Sequence, residues 1–93
     1  MKLYLIHTGF YDKSNSDGFY EQHTNLFIVA ESVYEAKQKI KLNKNFIDKK
    51  MHIDGIKEIE IIDGYRLVLE KTEDDDKINM FNHHQIRFLK SDI

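Results

Sequence analysis

A chain of 93 residues has room for one core and one domain, residues 1–93, since so short a chain buries only part of the surface it exposes when unfolded. Fourteen basic and sixteen acidic residues give a formal net charge of -2, which excludes the basic surface that nucleic acid or an anionic membrane would require. Cysteine is absent, which excludes a disulfide framework, a thiolate nucleophile and a cysteine zinc site, and a reducing cytoplasm is the expected location.

Residues 3–8 are apolar on both faces, with Leu3 and Leu5 on one side and Tyr4 and Ile6 on the other, and predict a strand inside a sheet. The apolar stretch is too short for a signal peptide or a membrane span. His7, at its end, is expected to be partly buried and hydrogen-bonded. Residues 9–24 collect Asp12, Ser14, Asn15, Ser16, Asp17 and Gly18, turn formers that predict a long loop. Phe10, Tyr11, Phe19 and Tyr20 bracket that loop and are expected to pack it on the sheet or to line a small-ligand site. Residues 25–30 alternate Leu26 and Ile28 against Phe27 and Val29, a second strand antiparallel to the first.

Ser32 with Glu35 three residues later reads as a capping box, so a helix starts here. Val33, Ala36 and Ile40 form its apolar stripe, and Lys37, Lys39 and Lys41 suit its negative end. Asn43 or Asn45 is expected to stop it in the left-handed conformation. Residues 56–70 predict a hairpin on Asp63 and Gly64, in which Ile62 faces Tyr65, Ile59 faces Val68 and Lys57 faces Glu70. Residues 73–76 are four carboxylates in a row, a solvated connection. Residues 78–89 alternate weakly and could add a fifth strand.

The fold class predicted is therefore α+β, in the order β-β-α-β-β, with one helix packed on an antiparallel sheet and an extra C-terminal strand admitted. Residues 1–72 form the expected core, and residues 73–93 the acidic connection and tail.

Two polar triplets carry the chemistry: Glu21, Gln22, His23 and His52, Ile53, Asp54. Imidazole and carboxylate groups bind metals and move protons near neutral pH. If the chain brings the triplets together, His23 and His52 become metal ligands beside Glu21 and Asp54, for zinc or another divalent transition metal. The competing reading has each side chain bonded to backbone at a strand end. Sequence spacing does not decide between them. His83 and His84 would point to opposite faces of a strand and are read as surface residues. No Gly-x-Ser-x-Gly turn presents a nucleophile, so hydrolase chemistry of that kind is rejected.

Glu21, Gln22 and His23, followed by Phe27, Ile28, Val29, Ala30 and the capped helix, resemble a small bacterial family catalogued as domain of unknown function 1543. His52, Ile53 and Asp54, then Lys57, Glu58 and Ile59, then Asp63, Gly64 and Tyr65 are similar to its later block. The resemblance covers residues 2–70 and implies no known activity. Thr24 stands where the family often has an acidic residue, which weakens the idea of a neighbouring carboxylate orienting His23. Phe10 stands where it has a second glycine, which argues against a phosphate-cradling loop. Twelve lysines and twelve isoleucines against two alanines also fit an AT-rich bacterial genome.

One helix covers one side of a sheet, so the second apolar side needs the tail or another subunit. The leading functional expectation is thus a non-enzymatic cytoplasmic module that self-associates as a homodimer. The alternatives are a metal-binding protein or metal-dependent enzyme using His23, His52, Glu21 and Asp54, and a small-ligand-binding protein.

Overall fold

The computed structural model describes residues 1–90 and has the predicted α+β class. β1 (Lys2–Tyr11) is the central strand of a three-stranded antiparallel sheet, flanked by β2 (Glu21–Ala30) and β3 (His52–Ile59). Tyr4, Ile6 and Thr8 alternate onto one face of β1 and are wholly buried. Ile6 stands opposite Leu26 on β2 and Ile56 on β3, so three strands meet in one apolar row.

α1 (Val33–Ile40) covers that row. Ser32 adopts extended backbone and its hydroxyl accepts from the Glu35 amide at 3.1 Å. Glu35 reaches one residue further back than expected, accepting from the Glu31 amide at 3.3 Å. Ala36 and Ile40 enter the core with Tyr4, Ile6 and Ala30, whereas Val33, expected on the same stripe, is half exposed. The Lys39 ammonium donates to the Val29 carbonyl and ties the helix to β2.

The helix does not end on an asparagine in the left-handed region. Asn43 has extended backbone and caps a second short helix, α2 (Lys44–Asp48), accepting from the Phe46 amide. The left-handed residue is Lys50, with φ 49°, and it turns the chain into β3. Phe46, Ile53 and Ile56 close the core from this side.

At the far end of the sheet the Tyr4 hydroxyl donates to Glu58 Oε1 at 2.7 Å, and Lys2 Nζ lies 3.3 Å from the same oxygen. These two donors, the tyrosine first, hold the Glu58 carboxyl below the usual carboxylate range. Burial, assisted by this carboxylate, pushes the Tyr4 phenol up.

The Asp63 and Gly64 turn forms as predicted, both residues having positive φ, and Ile62 faces Tyr65. The hairpin is shorter than expected: β4 (Ile61–Ile62) pairs with β5 (Tyr65–Arg66) in a sheet of its own. The predicted Ile59 to Val68 and Lys57 to Glu70 pairings are not made, because β3 is already paired with β1, Ile59 opposite Leu3. The chain bends at Glu60 and releases the hairpin from the main sheet.

The C-terminal strand admitted for residues 78–89 is replaced by a helix, α3 (His83–Arg87). Asn82 and Gln85 exchange side-chain and backbone hydrogen bonds in a capping box, and that local device wins over a weak alternation. Among the described residues no helix is long and apolar enough to cross a membrane.

Candidate functional site

Strand alternation gives β1 a second face, away from α1, carrying Leu3, Leu5, His7, Gly9 and Tyr11. Register then determines which neighbours flank each position. Gly9 stands opposite His23 on β2 and opposite His52 on β3, so two histidines far apart in sequence lie on either side of one glycine. Glu21 is two residues from His23 and shares its face.

β3 supplies the last member through a β-bulge. His7 pairs with Gly55 and Thr8 with Ile53, which leaves Asp54 without a partner on β1. Ile53 and Ile56 both remain in the core, while Asp54 turns to the same side as His52. Alternation places Asp54 on the face of His52, two residues away; the bulge leaves it without a β1 partner and returns Ile56 to the core face of Ile53.

Both predicted triplets thus belong to strands, not to the loop and the hairpin entry, and all four candidate side chains converge. His52 Nε2 lies 2.8 Å from Glu21 Oε1 and 3.1 Å from Asp54 Oδ1. His23 Nδ1 lies 3.1 Å from Asp54 Oδ2, and its Nε2 lies 3.7 Å from Glu21 Oε2. The imidazoles of both triplets are therefore held by carboxylates and not by backbone. Asp54 does for His23 what an acidic neighbour at position 24 would do in the family pattern, and it comes from another strand.

Two residues of the site escaped the sequence reading. His7, expected to be partly buried, is exposed, and its ring lies parallel to that of His23 at 5.0 Å. Its Nδ1 is 2.8 Å from Asn25 Oδ1. Gly9 is the floor: a Cβ built there would press on Glu21 Oε1 and would itself stand 2.6 Å from His52 Nε2 and 2.7 Å from Asp54 Oδ2. The alternation His7, Gly9, Tyr11 was the available signal, and it becomes informative only once the register with His23 is known.

Stability does not account for this crowding. The side chains of His23, His52, Glu21 and Asp54 keep between 30% and 48% of their accessible surface, and ion pairs so exposed contribute about 0–1 kcal/mol each. His52 Nε2 carries at most one hydrogen, which can serve only one of its two carboxylate neighbours well. Adjacent donors around an ion with bonds of about 2.0–2.2 Å stand about 3.0–3.5 Å apart, and the contacts here run from 2.8 to 3.7 Å. Among the described residues two triads place one ligand atom each within 4.8 Å of one another: Glu21, His52, Asp54 and His7, His23, Asp54.

The loop between β1 and β2 is shorter than expected, residues 12–20, with a 3-10 turn at Ser16–Gly18. Phe10 and Tyr11 line an open cavity of about 710 Å³ with Asp12 and Lys49. Phe19 and Tyr20 do not line it; they pack edge-on against each other and stay exposed. His83 and His84 are exposed on α3, far in sequence from the site.

No curated protein and no solved structure matches the chain. A family model matches residues 18–69, a span that holds Glu21, His23, His52 and Asp54 but stops short of His7 and Gly9. That span runs from the start of β2 through the helices, β3 and the hairpin and exceeds half of the chain, so the protein belongs to the family described as Domain of Unknown Function (DUF1543).

Proposed function

We propose that this protein is a divalent-metal-binding module, with zinc or another transition metal held on the open sheet face by His52, Glu21, Asp54 and His23. One observation carries the reading: three donor atoms from two flanking strands crowd the space above Gly9, where any side chain would stand in their way. Mixed imidazole and carboxylate donors suit this class of ion, and the exposed position gives it an entry path. Protein purified without an affinity tag is expected to carry stoichiometric metal by elemental analysis, or to take up Zn²⁺ in a calorimetric titration. His52→Ala is expected to weaken uptake by at least about 100-fold, since loss of a partner that merely supports a ligand already costs about 10–100-fold. Wild-type protein that stays metal-free after supplementation with zinc, manganese, iron and cobalt would overturn the proposal.

A second reading, self-association as a homodimer, is supported by the apolar surface outside the core. Phe27 and Val29 lie on the sheet face opposite α1, and the tail exposes Ile78, Met80, Phe81 and Phe88. Asp76, Lys77 and Ile78 of the same chain line a cavity with Phe27 and Val29, which makes this apolar surface continuous with the tail. Light scattering should give twice the chain mass, falling to the monomer in Phe27→Lys. A monomeric wild type would end this reading and leave the metal site untouched. The cysteine-free, lysine- and isoleucine-rich composition supports placing the module in a bacterial cytoplasm.

A further inference from the structure

We infer that the site takes two divalent ions, bridged by the carboxylate of Asp54, an inference that rests on the metal-binding reading above. The two oxygens of Asp54 are divided between the histidines: Oδ1 lies 3.1 Å from His52 Nε2, and Oδ2 lies 3.1 Å from His23 Nδ1. A carboxylate serving one ion would turn one or both oxygens to the same point. Asp54 faces two adjacent points, its Oδ2 also lying over Gly9 beside Glu21 Oε1 and His52 Nε2.

Each point has further donors of its own. On the β3 side Glu21 Oε1 joins Asp54 Oδ1 and His52 Nε2, and on the β2 side a nitrogen of His7 joins Asp54 Oδ2 and His23 Nδ1. In each triad the donor atoms lie within 4.8 Å of one another, a span that modest side-chain closure brings to coordination distance. Asn25 supports the second triad. With His7 Nδ1–H donating to Asn25 Oδ1, the ring is fixed and Nε2 keeps its lone pair for an ion.

The strand spacing favours two ions as well. His23 and His52 flank Gly9 on opposite sides, so their backbones stand about 10 Å apart across β1. His23 stacks on the His7 ring. Two ions about 3.5–4 Å apart, the usual separation in paired-metal sites, fit the bite of one bridging carboxylate and leave that stack in place. Two divalent ions also carry twice the charge that Glu21 and Asp54 cancel, so the outward positions are left for water, hydroxide or an oxyanion.

Native mass spectrometry and calorimetry with Zn²⁺ should find two ions per chain, and Mn²⁺ loading should give a spin-coupled paramagnetic resonance signal. His23→Ala and His7→Ala should each lower the count to one, and Asp54→Asn should abolish the coupling. All three side chains are on the surface, and circular dichroism should show each variant folded. A single Zn²⁺ per wild-type chain, lost equally in His23→Ala and His52→Ala, would overturn the paired site while leaving metal binding intact. Wild-type protein that binds no ion would overturn both.

Discussion

Replacing Gly9 with alanine is expected to lower metal affinity by at least about 10- to 100-fold without destabilising the fold. The opposite signs of the two effects make this variant informative. Gly9 lies inside a strand and has no positive φ, so alanine is compatible with its backbone and removes the entropic penalty of a glycine there, worth about 0.5–1 kcal/mol. The new methyl meets only the far ends of Glu21, His52 and Asp54, which can swing outward at little cost to the core. Those ends are the donors. The midpoint of thermal unfolding should therefore hold or rise while Zn²⁺ titration loses its tight phase. Unchanged Zn²⁺ affinity in Gly9→Ala would show that the space over this residue is not where the ion sits.

Ile6→Ala should be the most damaging single truncation, costing about 2–5 kcal/mol. Ile6 is wholly buried at the point where β1, β2, β3 and α1 meet, with Leu26 and Ile56 as cross-strand neighbours and Ala36 and Ile40 in the cluster above. Small domains have about 5–15 kcal/mol of total stability, so this one change takes a large share of it. Urea denaturation should report the loss as a shifted midpoint. Ile61→Ala provides the contrast: its side chain is 57% exposed on the detached hairpin, and the expected change is within about 0.5 kcal/mol. Comparable losses at the two positions would mean that the hairpin packs on the core in solution.

The two variants probe opposite faces of β1, and the difference between those faces explains what could be read in advance. Apolar alternation in β1 and β2, the serine cap of α1 and the turn at Asp63 and Gly64 are local features, each decided by residues within a few positions of one another. Errors arose where two local tendencies competed. Asn43 could end one helix or begin another, and the second outcome follows because its side chain accepts from Phe46 three residues on. Residues 78–89 alternated weakly, yet Asn82 and Gln85 form a stronger local device and make α3. The hairpin is shorter than its local pattern predicts because Lys57 and Ile59 have partners on β1, a competitor that no local window contains.

Composition and pattern by themselves determined the α+β class, the order of the main strands and helix, and the four side chains that are candidates for a site. Their convergence was decided only by tertiary structure. Glu21 and His52 are 31 positions apart, and they meet because β1 pairs with β2 on one edge and β3 on the other, both in register at Gly9. The bulge that leaves Asp54 unpaired beside His52 and His23 arises the same way, from the need to keep Ile53 and Ile56 in one core while β3 follows β1. Side-chain chemistry is a property of single residues, whereas strand register is set by the packing of all the apolar residues together, and the distance between donors depends on the second.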